Sequence, residues 1–120
     1  SLTTGHANSP LDMLARLETM VLMSGMELPL AAVRHQIVSA LDLVVHQERL
    51  SDGSRRITKV SEISRLDDHG RYVVEDIFTF RRQGLAADGT VMGETGTTGY
   101  IPTFIPDLVS RGIIADGEFL

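Results

Sequence analysis

The chain has 120 residues, 42% of them apolar, a mean hydropathy near zero and a formal charge of −5. That length bounds it to at most one domain with room for a core of moderate size, and no apolar run is long enough to span a bilayer. The absence of cysteine excludes disulfides and thiolate metal sites and fits a reducing cytoplasm, while the negative balance argues against non-specific nucleic-acid binding.

In chain order, Ser1–Thr4 reads as the end of a strand leading into Gly5-His6-Ala7-Asn8-Ser9-Pro10. No basic segment followed by an apolar one marks a signal peptide here. Ser9 is an N-cap, Pro10 suits the first helical position and Asp12 lies where the helix dipole favours an anion. Leu11, Leu14, Leu17 and Val21 then fall on one helical face, Asp12 and Arg16 are spaced to pair, and Gly25 is the stop. Met20, Met23 and Met26 read as core or interface filling. A second helix begins near Pro29 with an apolar stripe of Leu30, Val33, Ile37 and Leu41, and with Arg34, His35 and Gln36 facing out.

The second helix feeds a strand over Leu41–Leu50 whose first half is apolar on both faces, so Leu43 and Val45 are expected to be buried. Ser51-Asp52-Gly53-Ser54 is an exposed hairpin loop, and a strand returns over Arg55–Ile63. Asp67-Asp68-His69-Gly70 turns into a third strand over Arg71–Phe80, completing an antiparallel meander. The Gly- and Thr-rich stretch Leu85–Gly99 is a short hairpin or a loop. A short helix over Phe104–Arg111 stops at Gly112, and no repeat or heptad pattern is present.

Few of these residues announce chemistry. Lys59 is the only lysine and no glycine precedes it, so the chain contains no Gly-Lys-Ser/Thr phosphate loop. His6, His35, His46 and His69 lie on four different elements without paired ligand spacing, which argues against zinc. No Gly-x-Ser-x-Gly elbow supports a hydrolase triad. Arg55 and Arg56 at a hairpin start read as solvated cations or as contacts to a neighbouring subunit. His6 stands out because it sits at a strand end just before a helix N-terminus, where phosphates gather in nucleotide-binding α/β folds. One histidine by itself also reads as a loop residue that caps or packs.

Taken together, several segments resemble one family. Ala40–Leu50 followed by Asp52–Ile57 is similar to the C-terminal part of the type II/IV secretion-system ATPases, especially those that drive Flp (tight-adherence) pilus assembly. Thr3-Thr4-Gly5-His6-Ala7-Asn8-Ser9 resembles the end of their His box, and Leu14–Met20 the Arg-Leu-Glu helix that follows it. Gly84, Asp88-Gly89 and Gly99-Tyr100-Ile101-Pro102 fit the pilus-assembly branch. The resemblance implies an α/β fold: the C-terminal part of a RecA-like P-loop ATPase domain over 1–83, then a C-terminal extension over 84–120. It also implies two helices, a three-strand antiparallel meander and a short C-terminal helix. The parent would be a cytoplasmic hexamer, peripheral to the inner membrane, coupling hydrolysis of ATP with Mg²⁺ to export of pilus subunits through inner-membrane partners, with no role for nucleic acid. By the same resemblance His6 would sit near the ATP γ-phosphate and report its presence or loss, as the catalytic candidate. Arg16, the cofactor-binding candidate, would help hold the His-box segment where it does not simply pair with Asp12. The family's phosphate loop and magnesium motifs would precede Ser1, so the chain alone is expected to bear no bound cofactor and to be inactive. A non-enzymatic oligomerisation or interaction module is the alternative.

Overall fold

The structure, a computed structural model, describes residues 4–115 and 117. The strand end expected over Ser1–Thr4 lies outside the described residues except for Thr4, which is irregular. Three helices, α1 (Pro10–Met23), α2 (Leu30–Ala40) and α3 (Ile105–Ser110), accompany four strands: β1 (Leu43–Arg49), β2 (Arg55–Leu66), β3 (Tyr72–Leu85) and β4 (Val91–Thr97). The strands form one antiparallel sheet in the order β1-β2-β3-β4. The architecture is therefore α/β, with a four-strand meander in place of the expected three. The extra strand is Val91–Thr97, whose glycines masked an alternating pattern, and position 84 lies inside β3.

Each hairpin is built by the same local chemistry. In the first, the Leu50 amide donates to the Ser54 carbonyl and the Gly53 amide to the Leu50 carbonyl. Asp67–Arg71 and Ala86–Thr90 repeat that pair of bonds. An aspartate locks each turn through its own side chain: Asp52 accepts from the Ser54 amide, Asp67 from those of His69 and Arg71, and Asp88 from that of Thr90. Gly53, with φ of +85°, holds the left-handed position that a side chain would strain. Gly84, with φ of +151°, sits where the β3–β4 register shifts.

The main core lies at one end of the sheet. Leu14, Val33, Ile37 and Ile63 are buried together, with Leu17, Val21, Val44, Tyr72 and Val74 packed around them. Ser9 caps α1 as expected by accepting from the Asp12 amide at 3.0 Å. The apolar faces of α1 and α2 thus close on one side of β1, β2 and β3. Leu11, placed by spacing on the same stripe, is 55% exposed. The methionines Met20, Met23 and Met26 are all exposed, so they do not fill this core. Among the described residues no helix is long and apolar enough to cross a membrane.

Two expectations about the first hairpin are corrected. Leu43 and Val45 are not buried: they are 44% and 58% exposed. Val44 faces the helices, whereas Leu43 and Val45 project from the other face, which is left uncovered at this margin of the sheet. Asp52, expected in an exposed loop, is half-buried, while Gly53 is exposed. Its Oδ2 accepts from the Val91 amide at 2.7 Å and so joins the first hairpin loop to β4. Val45→Asp is accordingly expected to cost no more than about 0.5–1 kcal/mol, the scale of surface and strand-propensity effects. A urea melt showing a loss of several kcal/mol would put Val45 back in a core.

Candidate functional site

The segment singled out in the sequence folds back over the start of α1. The Met13 side chain fills the space beside Gly5 that a Cβ would need. The Asn8 amide donates to Asp12 Oδ2 at 2.9 Å, and Arg16 Nε donates to the same oxygen at 3.2 Å. These bonds hold the Asp12 carboxyl below its ordinary value, with the Asn8 amide as the main cause. Arg16 therefore occupies the pairing its spacing foretold, in an exposed i,i+4 ion pair with Asp12. His6 is exposed and among the described residues has no hydrogen-bond or ion-pair partner. Among the described residues no hydrogen bond or ion pair joins it to Arg16, whose Nε is on Asp12. His46 differs: its Nε2 is buried without a hydrogen-bond partner among the described residues, 3.7 Å from Glu48 Oε1.

Polar clusters that sequence spacing did not reveal lie elsewhere. Arg34, expected to face out, is drawn inward: its Nε donates to Glu18 Oε1 at 2.8 Å and its Nη1 to the Gly70 carbonyl at 3.2 Å. Tyr72 donates its hydroxyl to the same Glu18 oxygen at 2.6 Å, and the Arg34 guanidinium lies 6.0 Å from the Tyr72 ring centroid. Glu18 thereby ties α1 to α2 and β3. Burial first, and then the Glu18 carboxylate, push the Tyr72 hydroxyl well above its usual range. The Glu18 hydrogen bond raises Arg34 further.

Glu62 forms the second cluster and is 3% exposed. It follows Ser61 and precedes Ile63, and three consecutive buried strand residues require cover on both faces of the sheet. The C-terminal segment supplies that cover. Tyr100 donates its hydroxyl to Glu62 Oε1 at 2.7 Å, the Thr103 amide donates to the same atom at 3.0 Å, and Thr103 Oγ1 donates to Oε2. Burial pushes this carboxyl up, but the Thr103 and Tyr100 donors outweigh it and hold Glu62 below its ordinary value. Burial and the carboxylate push Tyr100 up to about 12. Asp52 is the third such group, lowered to about 2 chiefly by the Ser54 hydroxyl and then by the Val91 and Ser54 amides.

These carboxylates accept bonds from fixed donors, which makes them fasteners of the fold. Among the described residues no three His, Asp or Glu side chains are placed to hold a metal ion. The Asp-Gly turns gave a signal for Asp52, since aspartate before glycine commonly locks its own turn. Glu18 and Arg34 are 16 residues apart and Glu62 and Thr103 are 41 apart, so no local pattern could find them. Fold and clusters together define a small α/β domain with an antiparallel meander. No protein-family model and no curated protein sequence matches the chain.

Proposed function

We propose that the chain is the C-terminal part of a RecA-like secretion ATPase of the pilus-assembly type. The observation that carries this reading is the arrangement around His6. The His-box-like segment Thr4–Ser9 folds onto the first turn of α1 through Gly5, Asn8 and Ser9, and leaves the His6 imidazole in the open beside a helix N-terminus. The margin of the sheet adds support. Among the described residues β1 pairs on one side only, and its outward Leu43 and Val45 suit a further strand and its cover. In the parent, hexameric, cytoplasmic and docked to inner-membrane assembly proteins, ATP hydrolysis would drive the export of pilus subunits.

The residues present do not fit ATP and Mg²⁺ on their own. The sequence holds no phosphate loop, and no acidic cluster among the described residues is placed for a cation. Nucleotide and metal would be held by the parent's upstream segments, with His6 brought to the γ-phosphate by the cap of α1. Arg16, already paired with Asp12, would steady that cap instead of reaching the nucleotide.

The test is steady-state ATPase activity of the full-length protein beside its thermal melt. His6→Ala is expected to leave the melt within a few degrees, because an exposed change usually costs about 0.5 kcal/mol or less. It is expected to lower the rate at least roughly tenfold, equivalent to ~1.4 kcal/mol of transition-state stabilisation. The 120-residue chain assayed in parallel should turn over no ATP. Full activity in the variant would reduce His6 to a loop residue. A reading frame with no Gly-Lys-Ser/Thr segment upstream of Ser1 would favour instead a non-enzymatic assembly module that uses the open β1 edge.

A further inference from the structure

We propose that the cleft between α1, α2 and the start of β3 binds a small aliphatic carboxylate, either a free acid or the end of a peptide chain. Leu11, Ala15, Glu18, Arg34, Arg71 and Tyr72 line an open cleft of about 310 Å³. That volume lies at the low end of the roughly 300–1,000 Å³ of ligand pockets, so the occupant is small.

Charge decides its sign. Within the cleft Glu18 is engaged through Oε1, which takes both the Arg34 and the Tyr72 donors. Arg34 is anchored by that bond and by the Gly70 carbonyl, and its Nη2 is left over. Arg71 lines the same space, is exposed, and among the described residues its guanidinium makes no hydrogen bond or ion pair. The lining itself carries two guanidinium groups and one carboxylate. The Asp67 carboxylate lies close enough to Arg71 to feel its charge but is taken up by the His69 and Arg71 amides and does not line the cleft. A guanidinium matches a carboxylate in a two-pronged geometry that no neutral group reproduces. A phosphate dianion fits less well, because its second charge would stand beside the Glu18 carboxylate, which also lines the cleft.

The walls decide the rest of the ligand. Leu11 and Ala15 are four apart on α1, so they form one continuous apolar strip beside the charged end. Leu11 is 55% exposed although it belongs to the apolar stripe of its helix. An aliphatic side chain laid on Leu11 with its carboxylate on Arg71 meets both features at once. The site is independent of the ATPase reading and its test needs no turnover.

The experiment is an amide chemical-shift titration of the 120-residue chain with N-acetyl-leucine, N-acetyl-leucinamide and a short peptide ending in a free leucine. N-acetyl-leucine should give saturating shifts at Leu11, Ala15, Arg71 and Tyr72. The amide should bind at least roughly tenfold more weakly, the size of a lost hydrogen bond to a charged group. Arg71→Gln, a surface change that keeps the spectrum elsewhere, should erase the preference for the acid. Leu11→Ser should weaken acid and amide alike. Tighter binding of the peptide than of the free acid assigns the site to chain ends, and equal or weaker binding assigns it to small acids. The absence of saturating shifts at these residues, equal response to acid and amide, or an unchanged preference in Arg71→Gln would overturn the proposal.

Discussion

Replacing Glu62 by alanine is expected to lower stability by about 2–3 kcal/mol, because it strips the acceptor from several donors at once. The Tyr100 hydroxyl, the Thr103 amide and the Thr103 hydroxyl all end on this one carboxylate. They come from a segment some forty residues further along the chain that covers the face of the sheet away from α1 and α2. Without Glu62 that segment loses its polar anchor and the buried strand beneath it is opened to water. Glu62→Gln keeps one acceptor oxygen and should cost less, about 1 kcal/mol. Urea melts read both; a Glu62→Ala midpoint equal to that of the parent would mean that the segment is held by apolar packing alone. The pH dependence has a definite sign. The folded carboxyl titrates below its ordinary 4.5, so its contribution is fully present above that value and is lost as pH falls through the folded value. Acid should therefore loosen the C-terminal segment, and the glutamine variant should lose that part of the acid response.

Leu14→Ala is expected to have the larger effect, a loss of about 2–5 kcal/mol. Leu14 is fully buried at the centre of a cluster completed by Val33, Ile37 and Ile63. The four residues come from α1, α2 and β2, so a cavity there loosens every contact that fixes the helices to the sheet. Small domains have about 5–15 kcal/mol of stability in all, so the loss is a large share of the whole. Leu11→Ala, three residues earlier on the same helix, removes a half-exposed side chain and should cost far less. Thermal melts of the two variants give the comparison, and equal midpoints would contradict the placement of the core.

The contrast between Leu11 and Leu14 shows how far the sequence could be read. Helix existence, the Ser9 cap, the turns at Asp52-Gly53 and His69-Gly70 and the stop at Gly112 follow from local chemistry, and all of them appear in the structure. Burial does not follow in the same way, because period and spacing define a face without defining what covers it. Leu43 and Val45 are apolar by type and exposed by position, since α1 and α2 cover only the side to which Val44 belongs. β4 was obscured for a related reason: Gly93 and Gly96 break its alternation, and Gly93 is needed because the Phe80 ring lies where its side chain would stand. Around His6 the cap was legible and the surroundings were not. The Gly5–Met13 contact and the Glu18–Arg34–Tyr72 cluster depend on distances that no local pattern encodes.

The bond from Asp52 to the Val91 amide joins positions 39 residues apart, at the end of the sheet furthest from α1 and α2. A meander is otherwise a series of hairpins, and each tip can fray without consulting its neighbours. Here the tips of the first and last hairpins share one bond, so opening either one breaks it. The clasp couples the fraying of the two tips at this end of the sheet, where Val91 is itself buried. With Asp52 held to about 2, its carboxylate keeps its charge, and so its hold on the Val91 amide, in acid that would protonate an ordinary aspartate. The two ends of the sheet are thus fastened differently: the end near the helices by apolar packing, and the far end by buried Val91 together with one carboxylate.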